Sequence, residues 1–283
     1  MDKKDVLTGV THVIAISSGK GGVGKSTVTA NLACALAKAG AKVGLMDADI
    51  YGPSQVMMLG VGDDPEIDDA KRLYPPTAHG VKVISMAMFS QDDAAVVWRG
   101  PMVAQMVQNF IRQVEWGELD YLLIDLPPGT GDVQLTLTQS APLSGALIVS
   151  TPQDVALLDA RKGLRMFEKV SVPVLGMVEN MSGFVCDGCG KRHDIFKAGG
   201  ASRVSRALGV PYLGGIPIEP AVVQGGDAGV PVVLSHPESE SAKAFEAIAE
   251  QLVRSVAILK ATDGSSLRDF TIEWETLPEE DLA

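Results

Sequence analysis

Nine residues near the start of the chain, Gly19-Lys20-Gly21-Gly22-Val23-Gly24-Lys25-Ser26-Thr27, limit the possible folds more than any other stretch. They satisfy the pattern G-x-x-x-x-G-K-[ST]. They also lie between a short β-like run, His12 to Ser17, and a helical pattern, Ser26 to Ala39. Glycines at 19, 21, 22 and 24 let the backbone curl so that successive N–H groups point inward, and a helix starting there adds the positive end of its dipole. A loop of that kind binds phosphate. Lys25 would reach the β- and γ-phosphates of a nucleotide, the Ser26 hydroxyl would coordinate Mg²⁺, and Thr27 would donate to the α-phosphate. Gly19 through Thr27, Val23 included, form the expected nucleotide-binding set. An ordinary Gly-rich turn is the plain alternative, and the strand-to-helix setting argues against it.

Lys20 directly follows the first glycine and resembles the signature lysine of the deviant Walker A ATPases, K-G-G-x-G-K-[ST]. In that group the lysine reaches the nucleotide of a partner subunit. The resemblance implies ATP at a dimer interface, with Lys20 and Lys25 both acting on the phosphates.

Downstream, short apolar runs alternate with helical patterns, as expected of a doubly wound α/β fold whose mostly parallel sheet is covered on both faces. Lys42 to Met46 reads as the second strand and leads to Asp47-Ala48-Asp49. Carboxylates at the carboxyl end of a strand beside a phosphate loop lie where ligands bind in open α/β sheets. Asp47 is therefore expected to help hold Mg²⁺. Asp49 is expected to orient the attacking water, as the second carboxylate does in deviant Walker A ATPases.

Residues 52–80 read as a long surface connection with at most one helical turn. Val81 to Met86 is a strand and Pro101 to Val114 a helix. Leu119 to Ile124 is a buried strand, and Asp125 after it reads as a Walker B carboxylate for Mg²⁺. Leu126-Pro127-Pro128-Gly129-Thr130-Gly131-Asp132 suits a switch sensitive to the γ-phosphate, or a rigid turn. Gly145 to Ser150 is a strand, followed by a helix from about Val155 to Val170 with Asp154 as its cap. Val174 to Glu179 is a strand ending at Asn180, and Pro211 to Ile216 another. Pro217-Ile218-Glu219-Pro220 reads as a rigid turn able to pack on an adenine face, or simply as a turn. Residues 238–260 form the last helix. The domain is expected to span 1–260, with an insertion at about 181–199 and an acidic tail at 261–283.

Composition removes several classes of function. A formal net charge of −11 over 283 residues, without a Lys/Arg cluster, argues against nucleic acid as a partner. No apolar run approaches membrane-spanning length, and the Met-Asp-Lys-Lys-Asp start has no apolar region behind it, so a cytoplasmic protein without a membrane partner is expected. Three cysteines in such a chain do not suggest a disulfide framework.

Two of them, in Cys186-Asp187-Gly188-Cys189, form a C-x-x-C turn that lets both thiolates bind one metal. The pair supplies two ligands of the usual four, and Cys34 falls behind the phosphate loop, in the core. A symmetric dimer could unite two pairs into a four-thiolate site. His193 or a nearby carboxylate could complete a monomeric zinc site, or the pair could be a redox dithiol. Four thiolates suit [4Fe-4S] and Zn²⁺ alike.

Taken together, the chain resembles the Mrp family of P-loop ATPases, which are iron-sulfur cluster carriers or scaffolds within the deviant Walker A group. The resemblance runs from roughly residue 10 to 255 and rests on Gly19 to Thr27, Asp47 to Ser54, Trp98 to Pro101, Asp125 to Asp132, the Cys186/Cys189 pair and Gly225-Gly226-Asp227. It implies a homodimer whose two Cys186/Cys189 pairs hold one bridging [4Fe-4S] cluster, whose ATP sites couple to loading or transfer, and whose partners are apo iron-sulfur proteins. It also implies that Asn180 meets the edge of the adenine ring, since an amide both gives and takes hydrogen bonds. A zinc or nickel carrier shares every motif. A positioning ATPase of the MinD/ParA kind fits less well, because this chain ends acidic and carries the cysteine insertion.

Overall fold

The computed structural model describes residues 6–50, 52–89, 100–186 and 188–261, with backbone alone at 100–104, 132 and 133. Tyr51, Trp98, Arg99, Asp187 and the acidic stretch from 262 lie outside the described residues. In chain order the elements are β1 (Val10–Ser18), α1 (Lys25–Lys38), β2 (Val43–Asp47), α2 (Gln55–Met58), β3 (Glu66–Ile67), β4 (Leu73–Tyr74), β5 (Thr77–Ala78), β6 (Val81–Ser85), α3 (Gly100–Gln113) and β7 (Leu119–Asp125). Then follow α4 (Asp132–Ser140), β8 (Gly145–Ser150), α5 (Asp154–Lys169), β9 (Val174–Val185), β10 (Arg192–His193), α6 (Gly200–Ala207), β11 (Tyr212–Ile218), α7 (Pro220–Asp227), α8 (Val232–Ser235) and α9 (Glu240–Ala261).

Among the described residues the main sheet has the order β10-β9-β8-β1-β7-β2-β6-β5, with β11 also paired to β9. Its pairings are parallel except for β5 with β6 and β10 with β9. Strand β1 shows why the chain must cover both faces. Val13 and Ala15 face one core while Ile14 and Ile16 face the other, and all four are buried. Such a strand has no wettable side, so helices must lie above and below it. Helices α3, α4, α5 and α6 close one face, with Phe110, Leu137, Phe167 and Val204 in its core. Helices α1, α8 and α9 close the other, with Leu32, Val233 and Phe245.

Register gathers the chemistry at one edge. Ile16, two residues before the end of β1, pairs with Asp125 of β7, and Asp125 pairs in turn with Asp47 of β2. Three strand ends therefore deliver the phosphate loop and two carboxylates side by side at the carboxyl edge of the sheet, where open α/β sheets bind ligands.

The structure differs from sequence expectation in several places. Strand β9 runs on past Glu179 to Val185 because its second half gains partners in β10 and β11. Pro217 lies inside β11 rather than in a turn, and the break comes at Glu219, the cap before Pro220 opens α7. Asp154 is the first residue of α5, whose cap is Gln153 without a side-chain bond. The Asp154 carboxylate instead accepts from Lys197, 2.6 Å away. Helices α4 and α7 carry little signal in the sequence, being short and containing Thr, Val, Asp and Gly, which are weak helix formers.

Candidate functional site

The phosphate loop leaves β1 at Ser18 and re-enters regular structure at Lys25. Gly24 stands at the N-cap of α1 with φ 81°, a left-handed conformation that costs an L-residue about 1–2 kcal/mol. A Cβ at Gly24 would also fall 2.2 Å from the Asn180 amide nitrogen. At Gly19 a Cβ would fall 2.1 Å from the carbonyl carbon of Asp159, so the bare backbone is what lets α5 lie against the loop.

Lys25 is buried, and its Nζ lies 2.6 Å from Asp125 Oδ1, 3.5 Å from Asp49 Oδ2 and 3.3 Å from Ser26 Oγ. Asp125 is wholly buried and has further donors. Thr29 Oγ1 donates to its Oδ1 at 3.1 Å, and Gln55 Nε2 donates to its Oδ2 at 3.0 Å. Lys25 and Asp125 thus form a dry ion pair whose remaining hydrogen-bonding sites are partnered, the condition under which buried charges are tolerated.

Asp47 and Asp49 do different work. Asp47 is fully buried and accepts from the backbone N–H of Asp49, Ser54 and Gln55 and from Ser85 Oγ, at 3.0–3.2 Å. Burial, and then the negative Asp125 beside it, push its carboxyl up to about 7 against the hydrogen bonds from Gln55, Ser85 and Asp49. Its oxygens anchor the loop between β2 and α2 and do not line the cavity below. Asp49, at the turn that Asp47 anchors, does line it.

That cavity, about 210 Å³, is bounded by Lys20 through Thr27 and by Ser18, Asp49, Ser54, Met58 and Pro128. Backbone N–H groups, two lysines and a helix N-terminus converge there, which favours an anion. A larger concavity of about 490 Å³ lies between α1 and α9, lined by Ala35, Leu36, Ala39, Ala249 and Val253 with charged residues around them. It shares no residue with the loop and offers no comparable convergence of donors, so the smaller cavity is the chemical site.

Of the sequence-derived residues, the structure gathers Lys20 through Thr27 and Asp49 around this cavity, with Gly19 just before the lining and Asp125 and Asp47 buried behind it. Asn180 is adjacent, and its Nδ2 donates to the Val23 carbonyl at 2.9 Å, a bond that braces the loop. Pro217 stands apart from the cavity lining, its carbonyl accepting from Ser241 Oγ. Sequence reasoning missed Gln55, Thr29 and Gln134. Gln134 of α4 donates from Nε2 to Ser17 Oγ and to the Pro127 carbonyl, tying the turn after β7 to the end of β1. No spacing rule points to buried glutamines, and Thr29 became visible only once α1 aimed it at Asp125.

The two thiols lie at the tip of the β9–β10 hairpin. Phe184 pairs with His193 and Val185 with Arg192. Beyond them the Cys186 N–H donates to the Lys191 carbonyl at 3.0 Å and the Gly190 N–H to the Cys186 carbonyl at 2.8 Å, closing the turn. Cys186 is half-buried and Cys189 exposed. Among the described residues no group of three or more His, Cys, Asp or Glu side chains is placed to hold a metal ion, so His193 does not complete such a group. Cys34 is buried in α1, and burial pushes its thiol up to about 12.

Comparison with known proteins gives consistent results. The sequence model described as "ParA: NUBPL iron-transfer P-loop NTPase" matches residues 9–253. An iron-sulfur cluster carrier protein from Synechocystis sp. is 53% identical over 254 residues, covering 88% of this chain and 72% of that protein. The mouse iron-sulfur cluster transfer protein NUBPL is 47% identical over 256 residues, covering 90% and 80%. Among solved structures, a nucleotide-binding protein from Archaeoglobus fulgidus in complex with ADP is 40% identical with a TM-score of 0.74, covering 86% of this chain and 96% of that one. The cell division ATPase MinD from Pyrococcus furiosus is 28% identical with a TM-score of 0.66, covering 86% and 98%. Among the described residues no helix is long and apolar enough to cross a membrane.

Proposed function

The chain belongs to the ParA group of P-loop NTPases, on its NUBPL iron-transfer branch, and from that premise we propose that it is an ATP-hydrolysing homodimeric carrier that holds an iron-sulfur cluster as cargo and hands it to apo-proteins. The observation that carries this reading is the pair of thiols, one half-buried and one exposed, on a closed hairpin tip, in a chain whose described residues offer no group of three or more ligand side chains placed to hold a metal ion. Two thiols are half of a four-thiolate site, so a second copy supplies the rest. The cargo is then a [4Fe-4S] cluster bridging Cys186 and Cys189 of one protomer and the same two residues of its partner.

At the nucleotide end, Ser26 and Asp125 would hold Mg²⁺. They are hard oxygen donors on adjacent elements, and Gln55, bonded to the carbonyl of one and the carboxylate of the other, keeps a buried amide oxygen without a protein donor. Asp47, committed to backbone donors, would support that site from behind by fixing the loop that carries Asp49. When bound, Mg²⁺ neutralises charge on the phosphates. Lys25, released from Asp125, would bind the β- and γ-phosphates, and Lys20 of the partner subunit would reach the same oxygens. Asp49 would orient the water whose oxygen attacks the γ-phosphorus as the bond to the ADP oxygen breaks. Asn180, which braces Val23, would offer its free carbonyl oxygen to the adenine amino group. Pro217, in β11, would act on the base only through the strand that carries Asn180.

Anaerobic reconstitution with iron and sulfide tests the cargo. The expected product is a dimer by native mass holding about four irons and four sulfides, lost in Cys186→Ala and in Cys189→Ala. Stoichiometric zinc with no chromophore after reconstitution would replace this reading by that of a zinc carrier, and a monomeric holo form would end it.

A further inference from the structure

Gln55 opens α2 and is wholly buried. Its side-chain Nε2 lies 3.0 Å from the Ser26 carbonyl oxygen and 3.0 Å from Asp125 Oδ2. Both neighbours accept only, so the amide orientation is fixed by chemistry: nitrogen faces them, and Oε1 faces away with no protein donor. The Gln55 backbone N–H donates to Asp47 Oδ2 at 3.2 Å. One residue therefore joins the first turn of α1, the end of β7 and the end of β2.

The division of labour on Asp125 is informative. Lys25 and Thr29 occupy Oδ1, while Gln55 occupies Oδ2. A lysine that leaves for phosphate takes its bond away from Oδ1. Thr29 and Gln55 stay and hold the carboxylate plane where Lys25 left it. A buried amide oxygen without a donor is destabilising, and any donor arriving beside it would offset that cost. Water on a divalent cation is such a donor, since its lone pair is on the metal and both protons point outward.

We propose that Gln55 is a positioning residue of the metal-nucleotide site: through Nε2 it sets the plane of the Asp125 carboxylate against Ser26, and through Oε1 it accepts a hydrogen bond from a water on Mg²⁺. The proposal rests on the reading of Ser26 and Asp125 as the magnesium site. It also makes α2 responsive to the nucleotide, because Met58 at the other end of that one-turn helix lines the cavity.

The test is equilibrium binding of a fluorescent ADP analogue to the full chain, titrated with Mg²⁺ and repeated in EDTA. Gln55→Met keeps the volume and removes both polar atoms, and Gln55→Asn keeps the amide but shortens its reach. Each is expected to raise the Mg²⁺ concentration at half-saturation about tenfold while leaving metal-free affinity within about twofold, the range seen when groups supporting a metal ligand are removed. Ser26→Ala provides the reference. If Ser26→Ala shifts the Mg²⁺ dependence and a folded Gln55 variant does not, the proposal is wrong. If Ser26→Ala shifts nothing, the magnesium reading beneath it is wrong. Loss of affinity equally with and without Mg²⁺ would make Gln55 a structural residue only and overturn the proposal.

Discussion

Lys25 Nζ rests 2.6 Å from Asp125 Oδ1, with both side chains buried, so the cation proposed for phosphate is held by a carboxylate. Removing the lysine leaves Asp125 charged and dry with Thr29 and Gln55 alone to satisfy it. Lys25→Ala is therefore expected to abolish ATP hydrolysis and also to destabilise the fold by about 3–5 kcal/mol, the usual result of removing one partner of a buried pair. Urea unfolding of the nucleotide-free protein measures the second effect. An unchanged midpoint would mean that the pair contributes nothing before ligand arrives.

Lys20 lines the same cavity but belongs to the loop rather than to the buried pair. If it serves the partner's nucleotide, Lys20→Ala should cut hydrolysis about 100-fold, the scale for losing one donor to a transition state, and spare nucleotide binding. Mixing Lys20→Ala with Lys25→Ala protomers gives the sharper expectation. In a mixed dimer one site receives both lysines, so turnover returns to about one quarter of wild type at statistical mixing. No recovery after subunit exchange would mean that Lys20 acts within its own protomer.

Much of this architecture was legible in the chain because single residues announced it. The glycines and lysine of the phosphate loop fixed a strand, a turn and a helix, and apolar runs ending in Asp47 and Asp125 located the two strands beside it. What could not be read was side-chain reach across elements. Asp47 and Asp49 look alike in sequence, yet only the register of β2 against β7 makes one a buried anchor and the other a cavity residue. Gln55 and Gln134 carry no positional signal, since an amide becomes informative only when its partners are known. The extension of β9 was hidden because Asn180, Ser182 and Gly183 are poor strand formers, and pairing with β10 and β11 overrides that preference.

Gly24 and Asn180 offer a test of what braces the loop. Gly24→Ala meets two penalties, a positive φ worth about 1–2 kcal/mol and a clash with the Asn180 amide. Asn180→Ala removes the obstacle and also the bond to the Val23 carbonyl. The double variant should therefore lose less than the sum of the singles, with a coupling of about 0.5–3 kcal/mol in unfolding free energy. Additive losses would show that the two side chains do not meet.

Cys34 separates the structural thiol from the two on the hairpin. Burial raises it from 9.0 to about 12, whereas Cys189 is exposed. Iodoacetamide on the reduced native protein, with no metal or cluster bound, should label Cys186 and Cys189 and spare Cys34 until denaturant is added. The same shift has a sign in stability. Above pH 9 the unfolded chain gives up the Cys34 proton while the native protein keeps it, so the native state binds more protons and stability falls as pH rises. This contribution is intact below pH 9 and lost progressively towards pH 12, with a limiting slope of about 1.4 kcal/mol per pH unit. Lysines and tyrosines titrate over the same range, so the measurable quantity is the difference between wild type and Cys34→Ala. Urea midpoints taken from about pH 8 to 10.5 should converge as pH rises, because wild type alone carries the penalty. Parallel curves would place the Cys34 thiol in contact with solvent and remove it from the core of α1.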